Sequence, residues 1–188
     1  MNLQARQFEV FSLNESLAAM VRSLFEGCEG MRFPYSVGTR NNNQITSDFD
    51  GALEERLREE GIERAIFERP KGKGYTEDFA FAFDGRTFVV EAEKSNSDKI
   101  LYDFLKFHFY LDSGADAVIL LLPKNWPHRS GEVDMFAQGC ERLLHCHEIG
   151  FGSPAFFEST VIVGYEQATE DGRRLTAAVR RELVINQP

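Results

Sequence analysis

The sharpest pattern in the chain is TEDFAFAF at residues 76–83, where large apolar residues alternate strictly with small or polar ones. A period of two predicts a strand. Asp84-Gly85 follows, a dipeptide suited to a two-residue hairpin because type I′ geometry needs positive φ at both positions. RTFVVEAEK, residues 86–94, is then the returning strand. Leu13, Leu17, Met20, Val21, Leu24 and Phe25 recur at helical spacing and predict a helix over 12–28, punctuated by Gly27 and Gly30. RNNNQITSD, residues 40–48, reads as a polar loop. A second helix is predicted at about 50–60, capped by Ser47 or Asp48 and stopped at Gly61. Residues 62–68 form a plausible short strand, and RPKGKG at 69–74 a basic loop. Ser97 or Asp98 opens a long helix to about Asp112, with apolar Ile100, Leu101, Phe104, Leu105, Phe107 and Leu111, ended by Gly114. ADAVILLLP at 115–123 is nearly all apolar, as in a strand buried on both faces. A helix over 132–147 and a strand over 159–165 complete the series, while the tail at 175–185 is ambiguous. This order predicts a single α/β domain over 1–188, a mixed sheet with helices on its faces.

Composition adds a constraint. The 188 residues are 43% hydrophobic, with seventeen Phe against one Trp, so a Phe-rich core is expected. A net charge of -9 is unexpected for a protein that grips a polyanion, and phosphate contacts would have to be concentrated locally. Three cysteines without framework spacing suit a reducing compartment. No apolar run approaches the roughly 20 residues that span a bilayer, and the first residues lack the pattern of an export signal. A cytoplasmic location with no membrane partner is expected.

The hairpin brings acids together. A turn at Asp84-Gly85 sets Asp78 opposite Glu91, with Cβ atoms roughly 4.5–5.5 Å apart on one face. Glu93, two residues on, points the same way. Ala80, Ala82, Thr87 and Val89 share that face, and Phe79, Phe81, Phe83, Phe88 and Val90 take the other. Three carboxylates this close repel one another. A hard divalent cation such as Mg²⁺ resolves the conflict, since it prefers oxygen ligands and takes few carboxylates. The competing reading is a solvated sheet end, where charges discourage edge pairing.

Asp78, Glu91-Ala92-Glu93, the helix from Asp98 and the buried run AVILLLP together resemble the PD-(D/E)xK nuclease superfamily. That pattern places an Asp on one hairpin strand and (D/E)-x-K on the next, followed by a helix and a buried strand. The usual Lys position here holds Glu93, and Lys94 falls one residue late, facing the Phe-rich side of a regular strand. A bulge would be needed to bring it round. The segment VVEAEKSNSDKILYDFLKFHF is similar to the BamHI/BglII-like restriction endonucleases, which also lack that Lys. The resemblance spans about residues 48–123. It implies a restriction-endonuclease-like mixed central sheet flanked by helices. It further implies a Mg²⁺-dependent endodeoxyribonuclease, with Mn²⁺ able to substitute, that leaves a 5′-phosphate and acts on double-stranded DNA as a homodimer. Type II restriction is the leading form. Asp78 and Glu91 would bind the metal, Glu93 would orient or deprotonate water, and an upstream acid would complete the site. Glu68 is first choice for that acid, ahead of Glu54, Glu55 and Glu63.

For DNA contacts the candidates are Arg69, Lys71 and Lys73 of RPKGKG, and Arg40 with Asn42 in RNNNQ. Arg and Asn can read base edges as well as phosphates. Residues 124–129, KNWPHR, are a third candidate. Cys140, His145, Cys146 and His147 lack zinc-ligand spacing. Two other functions compete. One is a structure-selective repair or junction nuclease on the same core. The other is a catalytically silent nuclease-fold module that binds a protein, a reading favoured by the acidity and the missing Lys.

Overall fold

The computed structural model describes residues 2–37, 45–67, 75–94, 96–128 and 131–185. Among the described residues a mixed sheet of eight strands runs in the order β3-β2-β1-β10-β7-β6-β5-β4, and β8 (Trp126–His128) pairs with β9 (Gly131–Val133) in a separate two-stranded sheet. The centre of the large sheet is parallel: β7 (Ala117–Pro123) lies between β6 (Arg86–Ala92) and β10 (Thr160–Thr169), parallel to both. All seven residues of β7 are buried, as its continuous apolar run requires. The pairs on either flank are antiparallel. β1 (Asn2–Phe11), β2 (Arg32–Val37) and β3 (Ile45–Ser47) extend one side, and β5 (Phe79–Phe83) with β4 (Glu63–Arg64) the other.

The predicted hairpin forms in the predicted register. Phe79 pairs with Val90, Ala80 with Val89 and Phe81 with Phe88. Asp84 and Gly85 carry φ of 50° and 71°, the left-handed conformation their turn demands. The faces separate as expected. Phe79, Phe81, Phe88 and Val90 join the core beneath α1 (Glu15–Glu26) and α2 (Phe49–Glu59). Ala80 and Val89 join the core beneath α3 (Ile100–Asp112), α4 (Met135–Glu148) and α5 (Pro154–Glu158). Small residues on the second face leave room for Phe104, Phe107 and Tyr110 of α3, all fully buried.

Several elements differ from the sequence reading. β1 is a ten-residue strand in a segment where no element was predicted. Its inward residues are Leu3 and Ala5, then Phe8 and Val10, so the alternation changes phase midway. A bulge explains this: the register to β10 shifts between Arg6 and Glu9, and Gln7 takes a φ of 52°. The bulge returns all four residues to one core, and it hides the strand from a period-two search. The loop expected at 40–48 ends in β3, and of the strand expected over 62–68 the described residues form β4 at Glu63–Arg64, with Ala65 donating to the Ala80 carbonyl. The ambiguous tail carries α6 (Ala177–Ile185), with Val179 and Leu183 packed on the α1–α2 side.

Two glycines set how closely α4 approaches the sheet. A Cβ on Gly164 of β10 would fall 2.5 Å from Cγ of Phe136, and one on Gly139 of α4 would fall 2.5 Å from Cδ1 of Leu122. Gly164→Ala should therefore destabilise the protein by roughly 1–3 kcal/mol through overpacking. A lower urea midpoint checks this, and an unchanged midpoint would mean that α4 yields without cost.

Candidate metal and nuclease site

The C-terminal end of β6 brings a set of charged side chains to the sheet rim, beside the start of β5 and under α3. Asp78 precedes Phe79, the first residue of β5, and its backbone N–H donates to the Val90 carbonyl at 3.1 Å. Its carboxylate accepts from the Ala92 N–H at 2.7 Å, closing the open end of the hairpin. Asp78 is open at the surface, yet desolvation among the strand ends pushes its pKa upward, against the pull of that hydrogen bond. Asp50 raises it further, while Lys94 and Lys106 lower it, so Asp78 senses charge from both sides of the sheet.

Glu91 lies deeper, 5% exposed, on the α3 side. Its Oε1 accepts from the Tyr110 hydroxyl at 2.6 Å, and its Oε2 pairs with the Lys106 ammonium. Burial pushes Glu91 up to about 7, outweighing both partners, and the charge of Asp78 adds to the rise. Burial and the hydrogen bond to Glu91 also raise the Tyr110 phenol, which therefore stays a donor. Glu93 is 6% exposed. Its Oε1 accepts from the Asn96 N–H at 2.9 Å, and its Oε2 lies 3.4 Å from the Lys99 ammonium. Asn96 in turn caps the 3-10 turn over Ser97–Lys99 that leads into α3.

Two charged residues of α3 join this site without having been singled out from sequence. Lys106 is 8% exposed and Asp103 5% exposed, with Nζ 3.9 Å from Oδ1. Asp103, Lys106 and Tyr110 recur at i, i+3 and i+7, one stripe of a helix. Lys106 also lies 5.9 Å from the Tyr110 ring centroid, a cation–π distance. Leu101 and Leu105, named with the other apolar residues of this helix, are 50% and 41% exposed. The helix is apolar almost all round, so its period could not say which stripe faces the sheet. The available signal was a Lys and an Asp sharing a stripe with the buried Phe107 and Tyr110.

Burial pushes Asp103 up to about 7 as well, followed in effect by the charge of Glu91. The sign of the pH dependence follows. Raised carboxyl pKa values mean that the folded state holds protons the unfolded chain has released. The contribution of these two groups is fully present near pH 4 and is lost as pH rises through about 7. In chelator, the unfolding free energy is therefore expected to rise as pH is lowered from 8 to 5.5, by on the order of 1 kcal/mol per group and pH unit, and the urea midpoint with it. Asp103→Asn should flatten that trend. A midpoint that falls over the same interval would contradict it.

The remaining candidates divide clearly. Lys94 pairs with Asp50 of α2 on the opposite face, and β6 runs in regular register through Ala92, so no bulge rotates it toward Glu91. Glu54 pairs with Arg64 and Glu55 with Arg58, while Glu63 lies exposed on β4. Glu68, Arg69, Lys71, Lys73, Arg40 and Asn42 lie outside the described residues. Of KNWPHR, Lys124 pairs with Glu9. Asn125 is fully buried and bridges Gln167 and Leu175, and Trp126 is packed in the core, so these two are anchored inward, while Arg129 lies outside the described residues.

The donors suit a hard cation, being all oxygen, and the buried carboxylate of Glu91 already draws an ammonium to itself. Among the described residues no three Asp, Glu, His or Cys side chains converge as a cage. A cation here would rest on Asp78 and Glu91, with waters and substrate oxygens completing it, as Mg²⁺ commonly does.

Searches against protein-family models and curated proteins gave no match. Among solved structures, restriction endonuclease BglII complexed with a DNA 16-mer superposes with a TM-score of 0.54. The chain has a restriction-endonuclease-like fold. The match to that BglII structure covers 84% of this chain and 75% of the other at 16% identity. Free BglII aligns over 90% of this chain and 99% of the other, with 12% identity and a TM-score of 0.44. This endonuclease fold agrees with the expectation drawn from Asp78, Glu91-x-Glu93 and the helix and strand after them. Among the described residues, no helix is long and apolar enough to cross a membrane.

Proposed function

We propose that this chain is a Mg²⁺-dependent endodeoxyribonuclease of the type II restriction kind, acting on double-stranded DNA as a homodimer. The observation that carries the reading is the placement of Asp78, Glu91 and Glu93 at one end of the β5–β6 hairpin, each held by its own hydrogen bond, within a fold shared with a DNA-bound endonuclease. Asp78 and Glu91 would hold the metal, with Mn²⁺ as a substitute. When bound, such an ion lowers the pKa of water and neutralises charge on a phosphoryl group. Glu93, fixed through Asn96 and Lys99, would orient the attacking water or take its proton. Glu68 stands as the candidate for a further acid. Arg69, Lys71 and Lys73 are proposed to contact phosphates, and Arg40 and Asn42 base edges. Phosphate contacts on these few cations would reconcile a net charge of -9 with a polyanionic substrate.

Plasmid DNA incubated with the protein and Mg²⁺, with and without chelator, tests this reading. Discrete chelator-sensitive bands are expected, a smear would indicate cutting without site preference, and sedimentation should give a dimer. A second reading is a silent nuclease-fold module that binds a protein. It is favoured by Glu93 at the usual Lys position and by the neutralisation of Glu91 by Lys106. A folded protein that neither cuts DNA nor binds Mg²⁺ or Mn²⁺ would select it.

A further inference from the structure

We propose that the Lys106 ammonium is the resident counter-ion of this site. It is exchanged for the divalent cation, moving from Glu91 to Asp103 as the metal enters. The inference rests on the reading of Asp78 and Glu91 as metal ligands, and concerns what must leave before they can act.

The reasoning starts from charge. Glu91 is 5% exposed, and both its oxygens are engaged, one by a neutral donor and one by a cation. A divalent cation and an ammonium cannot both contact one buried carboxylate oxygen, because like charges at contact distance in a poorly solvated place repel strongly. Tyr110 is neutral and can stay. Lys106 must move.

Where it can move is equally constrained. Lys106 is 8% exposed, so a retreat into bulk water would require a large displacement of α3 or its side chain. Asp103 lies one helical turn away on the same stripe. Its Oδ1 is 3.9 Å from Nζ, too far for a hydrogen bond and close enough for a small rotamer change to make one. Asp103 is itself buried at 5% exposure, and Lys106 is its ion-pair partner only at that stretched distance. A buried carboxylate left under-partnered is costly. It makes sense as the second resting place of an ammonium that has two. With the ammonium on Glu91, that oxygen is closed to a cation and Asp103 keeps only the stretched contact. With the ammonium on Asp103, Glu91 would offer its freed oxygen to the metal, and both buried carboxylates would then face a cation at contact distance. Lys106 and Asp103 are thus positioning residues that set metal occupancy, and neither need touch the scissile phosphate.

Calorimetric titration of Mn²⁺ into the protein without DNA tests the exchange, alongside thermal melting in chelator. Lys106→Met removes the competing cation, so Mn²⁺ should bind about tenfold more tightly, a gain of about 1.4 kcal/mol. Its metal-free melting temperature should fall by roughly 10 °C, because a buried carboxylate loses its partner. Lys106→Arg keeps a cation and should keep an affinity near that of the parent protein. Asp103→Asn removes the landing place and should weaken Mn²⁺ by about tenfold. The decisive measurement is the double variant. Without an ammonium to receive, Asp103→Asn should no longer weaken binding in the Lys106→Met background. If Asp103 acts only by long-range attraction, its effect will persist there at full size, and the exchange is overturned. Should Lys106→Met fail to fold, an unchanged affinity in Asp103→Asn overturns it equally. A parent protein that binds no Mn²⁺ sinks the metal reading together with the exchange. A parent that binds Mn²⁺, with variants that bind it identically, sinks the exchange alone.

Discussion

Asp78→Asn is expected to lower Mg²⁺-dependent DNA cleavage by on the order of a thousandfold, about 4 kcal/mol of barrier, in a protein that still folds. The substitution is nearly isosteric. A carboxamide oxygen can go on accepting from the Ala92 N–H, so the open end of the hairpin stays tied. What disappears is the charge on the one acid of the three, Asp78, Glu91 and Glu93, that is exposed and carries no short ion pair among the described contacts. Glu91 alone, neutralised by Lys106, is a poor substitute. Stability should change by less than about 1 kcal/mol, as at other exposed positions. Single-turnover cleavage of plasmid DNA, paired with a urea midpoint, separates the two effects. Parental cutting rates in Asp78→Asn would move the metal away from the hairpin.

The second large effect concerns the buried pair. Glu91→Leu leaves the Lys106 ammonium buried, with Asp103 at a stretched distance as its remaining counter-charge. Removing one partner of a buried ion pair typically costs roughly 3–5 kcal/mol, while replacing both by apolar groups is often neutral. Glu91→Leu should therefore be strongly destabilising, and adding Lys106→Met should recover most of the loss. Tyr110 contributes as well, since its hydroxyl donates to the same carboxylate and would be left without that acceptor. Urea denaturation of the parent, both single variants and the double variant closes the thermodynamic cycle. Simple additivity would mean that Glu91 and Lys106 are not coupled, against the arrangement described above.

These variants also separate architecture from chemistry. If Glu91 and Lys106 serve stability alone, the Leu/Met double variant should fold well and keep whatever metal affinity the parent has. If Glu91 is a ligand, the double variant should be stable and blind to metal.

Much of the site was legible in the chain because its information is local. Asp84-Gly85 demands one turn geometry, and the strict alternation of Phe and Ala allows one choice of faces. Together these fix the pairing from Phe79–Val90 to Phe83–Arg86, bring Asp78 to the strand end that carries Glu91, and turn Lys94 away, toward Asp50. The continuous apolar run of β7 likewise announces burial on both faces. What only the tertiary structure decided is whatever depended on one element choosing its orientation against another. Helix α3 is apolar on nearly every side, so sequence alone could not say that Lys106 and Asp103 would be buried against Glu91 while Leu101 and Leu105 turned outward. β1 escaped for a related reason: its bulge at Gln7 shifts the alternation, and only pairing with β10 restores Leu3, Ala5, Phe8 and Val10 to a common face. Period and turn chemistry are written in neighbouring residues. The partner of a buried charge is set by packing between segments distant in the chain, where desolvation makes an unpaired ammonium too costly to leave alone.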